Sequence, residues 1–110
     1  MKRYYLGIDN GTTGTTALLL DENWKQAGRG YCPLTSLYPA DGWVEQDAEE
    51  IWRSVLAAVE AACKDAGIEP QQIACLGLDN VGETVVLWDR RSGKRLCYAI
   101  VWQDRRTAKT

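Results

Sequence analysis

The sequence has no histidine and no phenylalanine, one methionine, three prolines and four cysteines in 110 residues. Without histidine a mixed Cys/His zinc knuckle is excluded, and Cys32, Cys63, Cys75 and Cys97 fall at no knuckle spacing of their own. The thiols are expected reduced and mostly buried, in a cytoplasmic chain. No apolar run approaches the roughly 20 residues that span a bilayer. The first apolar run is broken by Asp9 and does not read as a signal peptide, so no membrane partner is expected. Net charge is −2, so the overall cationic footprint of nucleic-acid binding is missing. The pairs Arg90-Arg91 and Arg105-Arg106 are too short to supply one and read as solvated surface. Internal repeats and low-complexity tracts are also absent.

What is present is the composition of a soluble globular domain, 45% hydrophobic and 25% charged, with five Trp and five Tyr. The length allows one domain at most, burying something above roughly 60% of its unfolded surface. Tyr4–Ile8 reads as a strand ending at Asp9, and Asn10-Gly11 as a turn with positive φ. Thr15–Leu20 and Trp24–Cys32 complete an antiparallel meander of three strands. Leu18, Leu19 and Leu20 run without alternation, as in a strand covered on both faces. Pro33–Trp43 reads as an ordered loop anchored by Tyr38 and Trp43.

Asp47 can cap a helix, with Glu50 in the place of a capping-box partner. Ile51, Trp52, Val55, Leu56, Val59 and Cys63 recur at helical spacing and are expected to face a sheet. Ala57, Ala58, Ala61 and Ala62 allow close packing, and Gly67 ends the helix. The apolar run Ile73–Leu78, ending at Asp79 after a helix, predicts a parallel strand in the sheet centre. Thr84–Trp88 and Leu96–Val101, separated by the polar turn Asp89–Lys94, read as a hairpin. The expected class is α/β, with a mixed sheet and one main helix.

Three places could carry chemistry. The first is LGIDNGTTGT, residues 6–15. Asp9 at a strand end can accept turn amides or hold magnesium, which retains several waters and needs few carboxylates. Gly11 and Gly14 permit close backbone approach and an anion nest; Thr12, Thr13, Thr15 and Thr16 offer hydroxyls. This is neither a Walker loop nor a GxGxxG turn. The second place is Asp79, Asn80, Gly82 and Glu83, just past a strand's carboxyl end, where open sheets collect ligands. Asn80 and Glu83 can bond adjacent hydroxyls of a polyol, with Gly82 leaving space. The third is Trp102, Gln103, Asp104 and Arg105. An indole can pack on the C–H face of a sugar, or Trp102 can fill a hydrophobic gap while Asp104 pairs with Arg105 or Arg106.

Taken together, YLGIDNGTTGTTALLLD, YPADGWVEQDAEEIW and GLDNVGETVVLWDRRSGKRLCYAIVWQDRRTA resemble, in order and separation, the N-terminal part of the FGGY carbohydrate kinases. Within that family the chain is most similar to the glycerol kinases. The resemblance implies a ribonuclease-H-like, actin-like ATPase fold whose two domains close on ATP and a sugar or polyol. Residues 1–110 would be an incomplete N-terminal domain. Asp9 would lie near Mg2+, and Asn10, Gly11, Thr12, Thr13, Gly14 and Thr15 would cradle ATP phosphates. Asn80, Gly82, Glu83 and Trp102 would contact substrate. The catalytic base would lie beyond residue 110, so the chain alone is expected to be an inactive fragment that binds ATP weakly.

Two departures from the family pattern matter. Asn80-Val81-Gly82-Glu83 stands where glycerol kinase-like members carry Asn-Gln-Arg-Glu, which removes a rigid donor fork and suits a larger sugar or polyol. Thr16 stands where the hairpin often carries Arg or Lys. An exposed sheet edge is expected where the remainder of the kinase would pack, and with it self-association of the isolated chain. Two other readings remain at this level: a non-enzymatic sugar-binding or regulatory module, and an actin-like structural ATPase.

Overall fold

A computed structural model describes residues 2–80 and 82–108. Val81, within the Asn80–Glu83 phrase, and the end of the polar tail at Lys109-Thr110 lie outside the described residues. The elements are β1 (Tyr4–Asn10), β2 (Gly14–Leu20), β3 (Gln26–Pro33), β4 (Glu45–Gln46), α1 (Ala48–Ala66), β5 (Ile73–Asp79) and β6 (Ala99–Ile100). The first three strands form the expected antiparallel meander, and β5 joins β1 in parallel, giving the order β3-β2-β1-β5. The α/β class with one main helix over a mixed sheet is thus observed.

Alternation sets the core. Leu6 and Ile8 of β1 and Ala17 and Leu19 of β2 point to one face, where they meet Ala58, Ala62 and Cys63 of α1. Complete burial of Leu19 is worth about 2 kcal/mol. On the opposite face Leu18 and Leu20 are only half-buried, so β2 is not covered on both sides as its unbroken leucines predicted.

The helix begins where expected. Asp47 accepts the Glu49 amide at 3.0 Å, and Gly67 ends it at φ +69° with its amide returned to Cys63 and Lys64 carbonyls. The capping box does not form: the Glu50 carboxylate accepts the Thr35 amide at 2.7 Å instead, tying the loop to the helix. Asp47 also takes the Arg95 guanidinium at 2.8 Å, which pins the later hairpin to the helix start.

The face that packs on the sheet is only partly the one the apolar stripe predicted: Cys63 is buried in the core and Val55 and Val59 pack against it. Ser54, Ala58 and Ala62 are buried, while Trp52 and Leu56 are exposed and Ile51, Val55 and Val59 are half-buried. The reason is backbone proximity. A Cβ on Gly30 would collide with the Ala58 carbonyl, and one on Gly28 would lie 2.6 Å from the Ala62 carbonyl. Helix and strand touch main chain to main chain, which only small residues permit. The large side chains are rotated toward β5 and line an open apolar groove of about 1100 Å³ with Leu76 and Leu78.

That groove explains a second correction. β5 is an edge strand among the described residues, not a central one, and Leu76 and Leu78 are 60% and 63% exposed. Its continuous apolar sequence predicts cover on both faces, and no described element supplies it.

The hairpin is present in reduced form. Val85 pairs with Ile100 and Trp88 with Arg95, and the Asp89 amide closes the turn on the Lys94 carbonyl at 2.7 Å. Backbone bonds from Ser92 and Arg91 hold the Asp89 carboxyl below the usual carboxylate range. Regular pairing of β6 is with β4, a strand the sequence did not suggest.

Smaller expectations also change. Trp24 is not in β3: it turns at φ +61° and stacks on Tyr5 with centroids 4.8 Å apart. Tyr38 is 73% exposed and anchors nothing. The cysteines are all free, yet only Cys63 is buried, where burial pushes its thiol pKa up; Cys75 and Cys97 are exposed. Arg90 and Arg91 are solvated as expected, but Arg106 is not.

Candidate functional site

The turn between β1 and β2 is built from its hydrogen bonds. The Gly11 amide donates to the Gly14 carbonyl at 3.0 Å, leaving Thr12 and Thr13 at the tip. Neither Asn10 nor Gly11 takes the positive φ that an Asn-Gly turn predicted. Gly14 is required for room: a Cβ there would lie 2.7 Å from the Cys32 carbonyl and run into the Tyr31 ring. The Gly11 amide is therefore spent within the hairpin, and an anion nest can draw only on the amides nearer the tip.

The hairpin is held rigidly from behind. Gln46 Nε2 donates to the Thr12 carbonyl at 2.7 Å, and the Thr13 carbonyl accepts the Leu34 amide at 2.9 Å. Thr15 is fully buried, with its hydroxyl 2.7 Å from that of Ser54. Ser54 spends its one proton on the Ile51 carbonyl at 2.6 Å, so Thr15 must donate to Ser54. Thr15 in turn accepts from Asn10 Nδ2 at 2.8 Å. Asn10, Thr15 and Ser54 thus form a directed chain from hairpin to helix. Thr15 and the Asn10 amide group are braces behind the turn, whereas Asp9, Thr12 and Thr13 remain at its accessible side.

Gln46 and Ser54 were missed as site-building residues. Ser54 had a signal, because a lone hydroxyl in phase with Ala58 and Ala62 lies on the buried helix face. Gln46 had none beyond its place in WVEQD. It is 1% exposed, and its Oε1 has no hydrogen-bond partner.

The three sequence phrases meet. Asp9, Asn10, Gly11, Thr12, Asn80, Gly82, Glu83 and Trp102 line one open pocket of about 500 Å³. Parallel pairing of β1 with β5 sets Asp9 beside Asp79, which aligns the carboxyl ends of both strands at the pocket floor. Glu83 sits at φ +55°, a left-handed backbone that costs a non-glycine residue free energy and that clusters at functional sites. A Cβ on Gly82 would meet nothing within 4 Å, so this position leaves the pocket open.

Trp102 arrives from the opposite side. Val101, 2% exposed, is buried beside it and donates its amide to the Val44 carbonyl. Asp104 staples the segment: it accepts the Val44 amide at 2.6 Å and the Arg106 guanidinium through both oxygens. Arg106 also reaches Glu45 at 2.7 Å and lies 4.0 Å over the Trp43 ring. Hydrogen bonds from Arg106 hold the Asp104 carboxyl well below the usual range, and the same contacts raise the arginine above its own. Asp104 is therefore a positioning anchor, paired with Arg106 rather than Arg105. Trp102 itself is 56% exposed, and its indole donates to Thr12 Oγ1 at 3.0 Å. It does not plug a gap.

Among the described residues no three metal-ligating side chains gather. A closed metal cage is not formed, but the exposed Asp9 carboxylate suits a magnesium ion held largely by water and phosphate.

Comparison with known proteins follows the same outline. Residues 4–110 match the N-terminal domain of the FGGY family of carbohydrate kinases. A glycerol kinase from Rhizobium rhizogenes is 55% identical over 108 residues, which is 98% of this chain and 22% of that protein. Among solved structures, Plasmodium falciparum glycerol kinase with ADP superposes with a TM-score of 0.85 at 28% identity, covering 98% of this chain and 22% of that one. A xylulose kinase from Rhodospirillum rubrum gives 0.80 at 27% identity, covering 93% and 21% respectively. The chain spans about a fifth of the length of the relatives it matches.

Proposed function

Because this chain belongs to the FGGY family of carbohydrate kinases, we propose that it forms the phosphate-side wall and part of the substrate pocket of an ATP-dependent sugar or polyol kinase. The observation that carries the reading is the convergence of Asp9, Gly11 and Thr12 with Asn80, Glu83 and Trp102 on one pocket. Magnesium-ATP, when bound, supplies the phosphoryl group and neutralises charge that develops during transfer. Asp9 would hold the ion through water, and the Thr12 and Thr13 hydroxyls with the tip amides would hold phosphate oxygens. Glu83 accepts hydrogen bonds from hydroxyls of the polyol, Asn80 adds a donor and an acceptor, and the exposed indole face packs on the carbon skeleton. Asp104 is committed to Arg106 and Val44 and is not free to take the substrate proton.

Substrate size follows from Gly82. With no described atom near its Cβ position and no cation among the described residues that line the pocket, the site suits an uncharged polyhydroxyl compound larger than glycerol. Residues 1–110 act as the first part of an actin-like domain in a cytoplasmic enzyme. No helix among the described residues is long and apolar enough to cross a membrane. The remainder of the kinase is the natural occupant of the groove between α1 and β5, and the chain without it should self-associate and turn nothing over.

The test is a phosphorylation screen of the whole kinase with magnesium-ATP against polyols, ketoses and aldoses. Turnover of a neutral compound of four or more carbons in preference to glycerol supports the reading. Turnover of sugar acids alone, or of none of these compounds, refutes it.

A further inference from the structure

The hydrogen bond from Trp102 Nε1 to Thr12 Oγ1 joins residues 90 apart in sequence at 3.0 Å. It connects the two walls of the pocket. An indole N–H is a donor only, so Thr12 must accept, and its own proton is left to point elsewhere. Among the described residues that hydroxyl has no second partner. The Thr12 main chain cannot swing to find one, because its carbonyl is held by Gln46 at 2.7 Å and Gln46 is itself buried. Thr12 and Trp102 line the same pocket, so the free proton has the pocket as its outlet.

We propose that Trp102 is a positioning residue for the phosphate hairpin: its indole fixes the Thr12 hydroxyl as a donor directed into the pocket, toward an oxygen of a bound phosphate chain. The inference rests on the nucleotide reading given above. It makes the substrate wall and the phosphate wall one mechanical unit. A group packed on the indole and a phosphate held by Thr12 then influence each other's binding equally, since linkage is reciprocal.

The experiment is indole and amide NMR on the whole 15N-labelled kinase, with Trp102→Phe to identify the Trp102 signal. The Trp102 indole resonance should keep its position in Thr12→Ser and move with faster solvent exchange in Thr12→Val. A resonance unchanged in Thr12→Val overturns the proposal. Millimolar magnesium-ATP should shift the hairpin amides and the Trp102 indole together. Trp102→Phe should weaken ATP binding roughly 3- to 10-fold, the loss expected for one oriented hydrogen bond. In the absence of ATP its hairpin amides should stay in place, which a merely structural tryptophan would not allow. If ATP shifts residues 11–14 but leaves the indole unmoved, the coupling is wrong and the nucleotide reading survives. If ATP shifts no hairpin amide, the nucleotide reading fails and the donor role fails with it.

Discussion

The hydroxyl chain behind the hairpin makes a sharp thermodynamic prediction. Thr15 is fully buried and Ser54 is 1% exposed, and Thr15 is the donor between them. In Ser54→Ala the Thr15 proton loses its acceptor in a dry site. An orphaned buried donor costs about 1–3 kcal/mol. In Thr15→Val the Asn10 amide loses an acceptor but is half-exposed and can bond water, while Ser54 still donates to the Ile51 carbonyl. That change should cost about 1–2 kcal/mol. The double variant leaves no buried unpaired proton, because Thr15 and Ser54 become apolar together and the half-exposed Asn10 amide can bond water. Its loss should therefore fall short of the summed single losses by at least about 1 kcal/mol. Urea unfolding of the four proteins closes the cycle, with the slope held constant across them. Additivity within about 0.5 kcal/mol would refute the directed chain.

Gly30→Ala should destabilise by several kcal/mol in the same assay, since its Cβ meets the Ala58 carbonyl and neither main chain can yield. Gly82→Ala, with open space around it, should change stability by less than about 0.5 kcal/mol, while Gly82→Arg in the whole kinase should move preference toward glycerol. Asp104 is held below its ordinary pKa, so its contribution to stability is complete above the unfolded value of about 3.9 and is lost as pH falls through and below it. Acid titration of Asp104→Asn should show a flatter loss over that range, and an unchanged acid limb would count against the staple. Leu76→Lys on β5 should reduce self-association in sedimentation, and equal association by both proteins would place the sticky surface elsewhere.

The site was more legible in the sequence than the packing around it. Asp9, Glu83 and Trp102 stand out because strand ends, a Gly-Glu turn and a lone indole beside charges are local features. Their convergence needs only the β1–β5 pairing and the return of the chain at β6. Size is a poor guide to burial in α1. The largest residues of α1 face a groove, because Gly28 and Gly30 draw the alanine side onto β3. The central position expected for β5 fails for the same kind of reason: hydrophobicity reports what a strand needs as cover, not which segment provides it. Gln46 and Arg106 act through partners 34 and 61 positions away, Thr12 and Glu45, and no local pattern announces such pairs.

The buried cluster has a consequence for synthesis. Its members run from Leu6 to Cys63, and every fully buried partner of the helix–sheet contact has been made before β5 begins at Ile73. A chain leaving the ribosome at about 5–20 residues per second can close this core while the pocket's far wall has still to emerge. The hairpin is then braced by Ser54 seconds before Glu83 and Trp102 arrive to face it, so the nascent protein forms the β1–β2 wall of the pocket first and the wall opposite afterwards.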